Sequence, residues 1–378
     1  MDATRTLWMI DSTLRDGEQA PGVAFSAGEK ICLAQMLDVI GIDEIEAGTP
    51  AMGKDECHTI RQIVRLNLDA RISVWCRALK QDIEHAAGTE AQGIHLAFPV
   101  SDIQLATMNK DWNWVKETLP KMVGYARSFF RYVSVGAQDA SRCGSDRLFE
   151  FTGIAGDQDI SRVRIADTVG VLTPVGTMQL IQDIKKSYPD LDIDFHGHND
   201  FGMATANAVT AWQAGASTLS VTVNGLGERA GNAALEEVLM ALSRICMKNK
   251  YRTSSLFSLC RFVSSISGRP IPEGKPVCGK MAFSHESGIH TRASLSDVIA
   301  FQPFDGALVG RESSLNFFGK HSGKGAVVHF LKERNIQVDE PELSFLMKKI
   351  HQIAQKNKRN VYPSEIMMAC DHLLHAAD

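Results

Sequence analysis

The sequence predicts a (β/α)8 barrel followed by a small, mainly helical C-terminal subdomain, and three observations carry that prediction. Short β-branched runs alternate with longer amphipathic ones, making eight strand–helix units in about 250 residues, the count and length of such a barrel. Polar and ionisable residues gather at the carboxyl ends of the apolar runs, where a barrel keeps its chemistry. After Leu256 the pattern breaks, with Pro270, Pro272 and Pro276 close together. A doubly wound open sheet shares the alternation and is the main competitor.

In order, the strands fall at 6–11 (TLWMID), 43–46 (DEIE), 71–76 (RISVWC), 92–98 (QGIHLAF), 131–135 (RYVSV), 162–166 (RVRIA), 191–195 (LDIDF) and 217–223 (STLSVTV). Helical periodicity fills the gaps at 28–40, 55–66, 80–90, 112–129, 174–187, 202–214 and 232–248. The weakest helix is 145–158, where Gly153 and Gly156 cost stability. These units make a catalytic domain of 1–255. A helix to Ser267 and a proline-rich arm, 256–280 together, link it to a C-terminal subdomain of 281–378. There a loop-rich stretch runs to Ser322, with helices at 323–335 and 341–357.

Composition bounds the function. Of 378 residues, 44% are apolar and 22% charged, with a net charge of −4, which gives no reason to invoke nucleic acid or an anionic membrane. No apolar run approaches the roughly 18 residues of a membrane span, and the N-terminus lacks a signal-peptide pattern. The eight cysteines are scattered without a C-x-x-C pair, which suits reduced thiols in the cytoplasm.

The chemistry centres on His196-Gly197-His198-Asn199-Asp200. In an extended chain His196 and His198 point the same way, so the two imidazoles can grip a divalent metal. A pair of surface histidines is the plain alternative. Other strand ends supply 11–19 (DSTLRDGEQ), Arg77, His95, Gln138-Asp139, Asp167-Thr168 and 228–232 (ERAGN). Asp16, the two histidines and the amide oxygen of Asn232 would form a mixed nitrogen and oxygen shell suited to Mg²⁺, Mn²⁺ or Zn²⁺. Gly225-Leu226-Gly227 lacks the spacing of a dinucleotide fingerprint and reads as a tight barrel loop. The run from Gly319 to Gly325 lacks the phosphate-loop pattern, and shapes the subdomain or approaches the phosphates of a coenzyme.

DSTLRDGEQAPGVAF, IADTVG, HGHNDFGMATANA and GLGERAGNAALEEV together resemble the metal-dependent acetyl-CoA condensing enzymes on a TIM barrel, the isopropylmalate, citramalate and homocitrate synthases. EAGTPAMG, FPVSD, FSHESGIH and GKHSG look closest to the nitrogen-fixation type of homocitrate synthase. The resemblance implies a cytoplasmic, homodimeric acyltransferase that condenses acetyl-CoA with 2-oxoglutarate. Asp16, His196, His198 and Asn232 match metal positions, and Arg15 matches the arginine that stabilises charge on the acceptor carbonyl. Gln19, His95 and Thr168 fall in the acceptor shell. Arg77 sits where the family reads the far end of the 2-oxo acid, with a structural salt bridge as its alternative. Asp200 is a candidate to orient a histidine, or simply a loop cap.

The resemblance also implies a proton relay of glutamate, histidine and tyrosine, partly donated by the partner subunit. His290 matches the histidine. Gln138 stands where relatives carry glutamate, and Phe301 where the tyrosine would fall. Neither can take or pass a proton. His285 and Tyr132 are candidates to replace them. The alternatives are the same condensation on oxaloacetate, 2-oxoisovalerate or pyruvate, cleavage by an acyl-CoA lyase, and a metal-binding homologue with altered or lost activity. A feedback domain of the isopropylmalate synthase kind is not expected.

Overall fold

The computed structural model describes residues 7–245, 250–311 and 318–374. The chain divides into two compact units, Met1–Ile271 and Pro272–Asp378.

In the first unit eight parallel strands close into a barrel in chain order. They are β1 (Trp8–Asp11), β2 (Glu44–Glu46), β3 (Arg71–Arg77), β4 (Gly93–Pro99), β5 (Tyr132–Gln138), β6 (Arg162–Asp167), β7 (Ile193–Gly197) and β8 (Thr218–Val221). Strand β1 pairs with β2 on one side and β8 on the other, with Ile10 opposite Glu44 and Trp8 opposite Thr218. Closure leaves no free edge, which excludes the open sheet.

The helices between the strands start and stop where local chemistry directs. Ala27–Ile40 opens on a capping box, in which Ser26 Oγ accepts from the Glu29 N–H and the Glu29 carboxylate accepts from the Ser26 N–H. Helix Ser145–Gly156 forms despite its glycines, and Gly153 has a packing reason: a Cβ there would lie 2.7 Å from the Tyr188 hydroxyl. Helix Leu256–Ser267 belongs to the barrel unit rather than to a linker. It buries Leu256, Leu259, Cys260 and Val263, a stripe at helical spacing that needs a core to cover it. Of the expected helix 232–248, Leu235–Ile245 is helical. Residues 246–249, with Cys246, lie outside the described residues, as does Thr6 of the first expected strand.

The second unit packs Phe318, Val327, Leu331, Leu346, Ile350, Val361 and Ile366 into its own core. Helices Lys324–Lys332 and Glu340–Asn357 match the periodicity. Helix Pro363–Leu374 was not expected; Pro363 starts it, and Ile366 and Cys370, four apart, face the core. The stretch expected to be loop-rich contains a helix at Gly288–Ser296. In the glycine run, the Glu286 carboxylate accepts from the His321 N–H and would lie 2.6 Å from a Cβ at Gly319. A carboxylate there supports the shaping role and opposes phosphate. No helix among the described residues is long and apolar enough to cross a membrane.

Candidate active site

Strand parity builds the site first. Asp194 and His196 on β7 face the barrel interior, and His198, one step beyond the strand, keeps the same face. The turn after β1 folds tightly, with the N–H groups of Asp16 and Gly17 both donating to Ser12 O. That turn carries Asp16 over the mouth of the barrel. His196 Nε2 lies 3.5 Å and His198 Nε2 3.8 Å from Asp16 Oδ2. The two Nε2 atoms are 3.3 Å apart. Burial, then the neighbouring His196, pushes the His198 imidazole down to about 4, so it offers a lone pair. Burial works to raise the Asp16 carboxyl, but Arg15 and the histidines outweigh it and hold it well below the usual range. An ionised carboxylate and convergent imidazole nitrogens, three buried groups whose ligand atoms lie within 4.8 Å of one another, fit a divalent cation.

Beneath this cluster runs a chain of buried ion pairs. Arg15 Nη1 lies 2.7 Å from Asp16 Oδ1 and its Nε 2.6 Å from Glu46 Oε2. Arg164 bridges Glu46 at 2.9 Å and Asp194 at 2.6 Å, and the Ser220 hydroxyl donates to Asp194. Burial alone would raise the Glu46 carboxyl, yet Arg15 and Arg164 hold it far below the usual range. Barrel interiors are usually filled by branched apolar side chains. Here charge fills one, and the network fixes Arg15 beside the cluster.

A cavity of about 180 Å³ opens over these groups. Arg15, Asp16, Gln19, His95, Thr168, His196 and His198 line it, as do Trp75, Gln138 and Arg229, with Ala97, Gly136 and Ala166 giving space. Burial, then Arg164, holds His95 well below the usual imidazole range, so its ring is neutral. Its Nδ1 lies 2.9 Å from Ser134 Oγ.

Four of the candidate residues have other partners in the structure. Arg77 shares the parity of Trp75, but its guanidinium turns away to pair bidentately with Asp82 at 2.8 and 2.9 Å and does not line the cavity. Asn232 is held beside His198 by a backbone bridge, but its Nδ2, not its oxygen, faces Asp16 at 2.7 Å. Among the described residues its buried Oδ1 has no partner, so oxygen ligation requires the amide to turn over. Asp200 pairs with Arg229 at 2.8 Å, and among the described residues the buried Nδ1 atoms of His196 and His198 have no hydrogen-bond partner. Tyr132 begins β5 while Gln138 ends it, about 20 Å along the strand, and the Arg71 guanidinium stacks on its ring at 3.5 Å.

His290 is exposed in the second unit. Its ring stacks on Phe301 with centroids 4.1 Å apart, and His285 meets it edge-on at 5.7 Å. Sequence reasoning missed Glu46, Arg164, Asp194, Trp75 and Gly136. The signal was present in DEIE, RVRIA and LDIDF, where charges alternate within runs that the fold buries on both faces.

Comparison with known proteins follows the same division. Residues 6–263 match the HMGL-like family, and residues 277–358 match the homocitrate synthase post-HMGL domain-like family. The chain is 41% identical over 365 residues to 2-isopropylmalate synthase 2 of Caldanaerobacter subterraneus subsp. tengcongensis, covering 96% of this chain and 94% of the relative. It is 39% identical over 359 residues to homocitrate synthase 1 of a Nostoc species, covering 94% and 95%. The solved HMG-CoA lyase of Bacillus subtilis superposes with a TM-score of 0.66 at 19% identity, covering 72% of this chain and 98% of that one, a likeness of fold alone.

Proposed function

The chain belongs to the HMGL-like family, among its isopropylmalate, homocitrate and citramalate synthases, and from that premise we propose that it is an acyltransferase joining acetyl-CoA to a 2-oxo acid. The acetyl methyl carbon loses a proton and bonds to the 2-carbonyl carbon. Water then cleaves the thioester, releasing CoA. The observation that carries this reading is the convergence of Asp16, His196 and His198 in one cavity with Arg15.

A divalent cation held by these three residues would supply Lewis-acid polarisation of the acceptor carbonyl. Arg15, anchored by Glu46, is preorganised to stabilise negative charge growing on that oxygen. Thr168 and Gln19 are suited to hydrogen-bond the acceptor. His290 is the proposed base, and its exposure on the second unit fits service to a partner copy in a homodimer. Gln138 can hydrogen-bond in the cavity but cannot take a proton.

For the acceptor, the likeness to a homocitrate synthase and the second-domain match favour 2-oxoglutarate. The ion pairs favour a second reading. Among the described residues, the close arginine pairs of Asp16, Glu46 and Asp194 are with Arg15 and Arg164, three carboxylates against two guanidiniums, while Arg229 at the cavity wall is paired with Asp200. A divalent cation and one acceptor carboxylate bring that balance to zero, whereas a second carboxylate leaves an uncompensated buried charge. With Arg77 engaged by Asp82, a monocarboxylic acceptor such as 2-oxoisovalerate or pyruvate fits this balance better.

A thiol-release assay with acetyl-CoA and a panel of 2-oxo acids, with and without chelator, tests both levels. Chelator-sensitive CoA release is expected, abolished in Asp16→Ala and His196→Ala. No release with any acceptor at full metal occupancy, or undiminished release in both variants, defeats the proposal. A clear preference for 2-oxoglutarate defeats only the second reading.

A further inference from the structure

Two non-glycine residues in the left-handed backbone region converge on Thr168. Arg229, at φ 53°, donates from Nη2 to Thr168 O at 2.7 Å while gripping the Asp200 carboxylate. Asp139, at φ 63° and ψ 38°, donates its N–H to Thr168 Oγ1 at 2.8 Å. Non-glycine residues enter this region uncommonly, Asn and Asp most readily, and they stay there where side-chain contacts hold them.

The Asp139 side chain supplies the enforcement. Its carboxylate is fully buried and accepts from the Ser101 hydroxyl and from Arg142 Nε and Nη2, the last at 2.7 Å. Ser101 follows β4 and Arg142 lies in the turn after β5, so the carboxylate ties two neighbouring strand ends together. This tie holds the Asp139 backbone in the turn that aims its N–H at Thr168, the residue that follows β6.

The consequence falls on one proton. The Asp139 N–H occupies one lone pair of Thr168 Oγ1, and among the described residues no acceptor takes the Thr168 hydroxyl hydrogen. Thr168 lines the cavity. A hydroxyl that already accepts a hydrogen bond is a stronger donor, because the two bonds polarise each other. A cavity anion therefore meets an oriented, uncommitted O–H. We propose that Asp139 is a positioning residue for the acceptor carboxylate, acting through Thr168. This rests on the condensation reading, in which a 2-oxo acid occupies the cavity.

The test is a double-mutant cycle read by both steady-state kinetics and binding. Asp139→Ala should raise KM for the preferred 2-oxo acid about tenfold, the worth of one well-placed hydrogen bond, while KM for acetyl-CoA stays within about twofold. Thr168→Val should show the same split, and the double variant should be no worse than Thr168→Val alone, because one residue acts through the other. Asp139→Gly, which enters the left-handed region without strain, should lose less than Asp139→Ala and serves if the alanine variant fails to fold. Independent, multiplicative losses, equal rises in both KM values, or a glycine variant as impaired as alanine would each overturn the proposal. Calorimetric titration of the Mn²⁺-loaded protein with 2-oxoglutarate and 2-oxoisovalerate separates the two failures. If the wild type binds an acceptor but releases no CoA, the condensation reading falls and the same cycle on binding affinity decides this one. If the wild type binds neither acid, both fall.

Discussion

Replacing Gly136 with alanine offers a test whose sign alone decides. Gly136 lies on β5 beside the His95 ring, and a Cβ built there would stand 2.5 Å from His95 Nε2 and 2.8 Å from Cε1. Ordinary carbon contacts begin near 3.5 Å, so the ring would have to retreat by about 1 Å. It has little freedom to do so: the residue is 3% exposed and its Nδ1 is bound to Ser134 Oγ. Overpacking of this kind costs about 1–3 kcal/mol, and losing a buried hydrogen bond adds about 1 kcal/mol. Gly136→Ala should therefore destabilise the barrel by about 2–4 kcal/mol. Without a clash, alanine in a strand would instead stabilise it by about 0.5–1 kcal/mol. Urea unfolding of the barrel, followed by tryptophan fluorescence, measures the difference. In a His95→Ala background the Cβ has room, and the same substitution should become neutral or stabilising. An equal loss in both backgrounds, or no loss in the wild type, would refute the packing argument.

Two further outcomes follow from the ion pairs. Arg77→Ala should lower stability by about 1–3 kcal/mol, because Asp82 is buried and, among the described residues, would keep the Arg77 backbone N–H at 3.3 Å as its side-chain hydrogen bond. It should leave the ranking of 2-oxo acids unchanged in the thiol-release assay, and a selective loss of 2-oxoglutarate would restore Arg77 as a reader of the distal carboxylate. In the second unit, the Arg359 guanidinium and the Tyr362 N–H hold the Glu365 carboxyl down at about 2. A lowered carboxyl stabilises the fold above its unfolded value of about 4.5, and that contribution is lost as pH falls toward 2. Glu365→Gln should flatten this part of the acid dependence of the melting temperature, and identical profiles for the two proteins would remove the pair from the account.

Much of the molecule was legible in its residues because the relevant rules are local. Period-2 and period-3.6 patterning needs only near neighbours, so eight strands and their intervening helices could be read in order. The same parity put His196 and His198 on one face before any tertiary contact was known. What lay beyond reach depends on closure. Asp16 meets those histidines only because β1 returns beside β8. Glu46 and Arg164 are 118 residues apart in the chain, and their alternating charges acquire meaning only when the ring brings them together. Arg77, Asp200 and Asn232 stand near the expected places, yet each side chain chose a partner that its sequence position does not specify. A long or planar polar group at a strand end selects among several donors and acceptors by distances of an ångström or two. Periodicity assigns such a group to a face, whereas the packed neighbours decide which atom it touches.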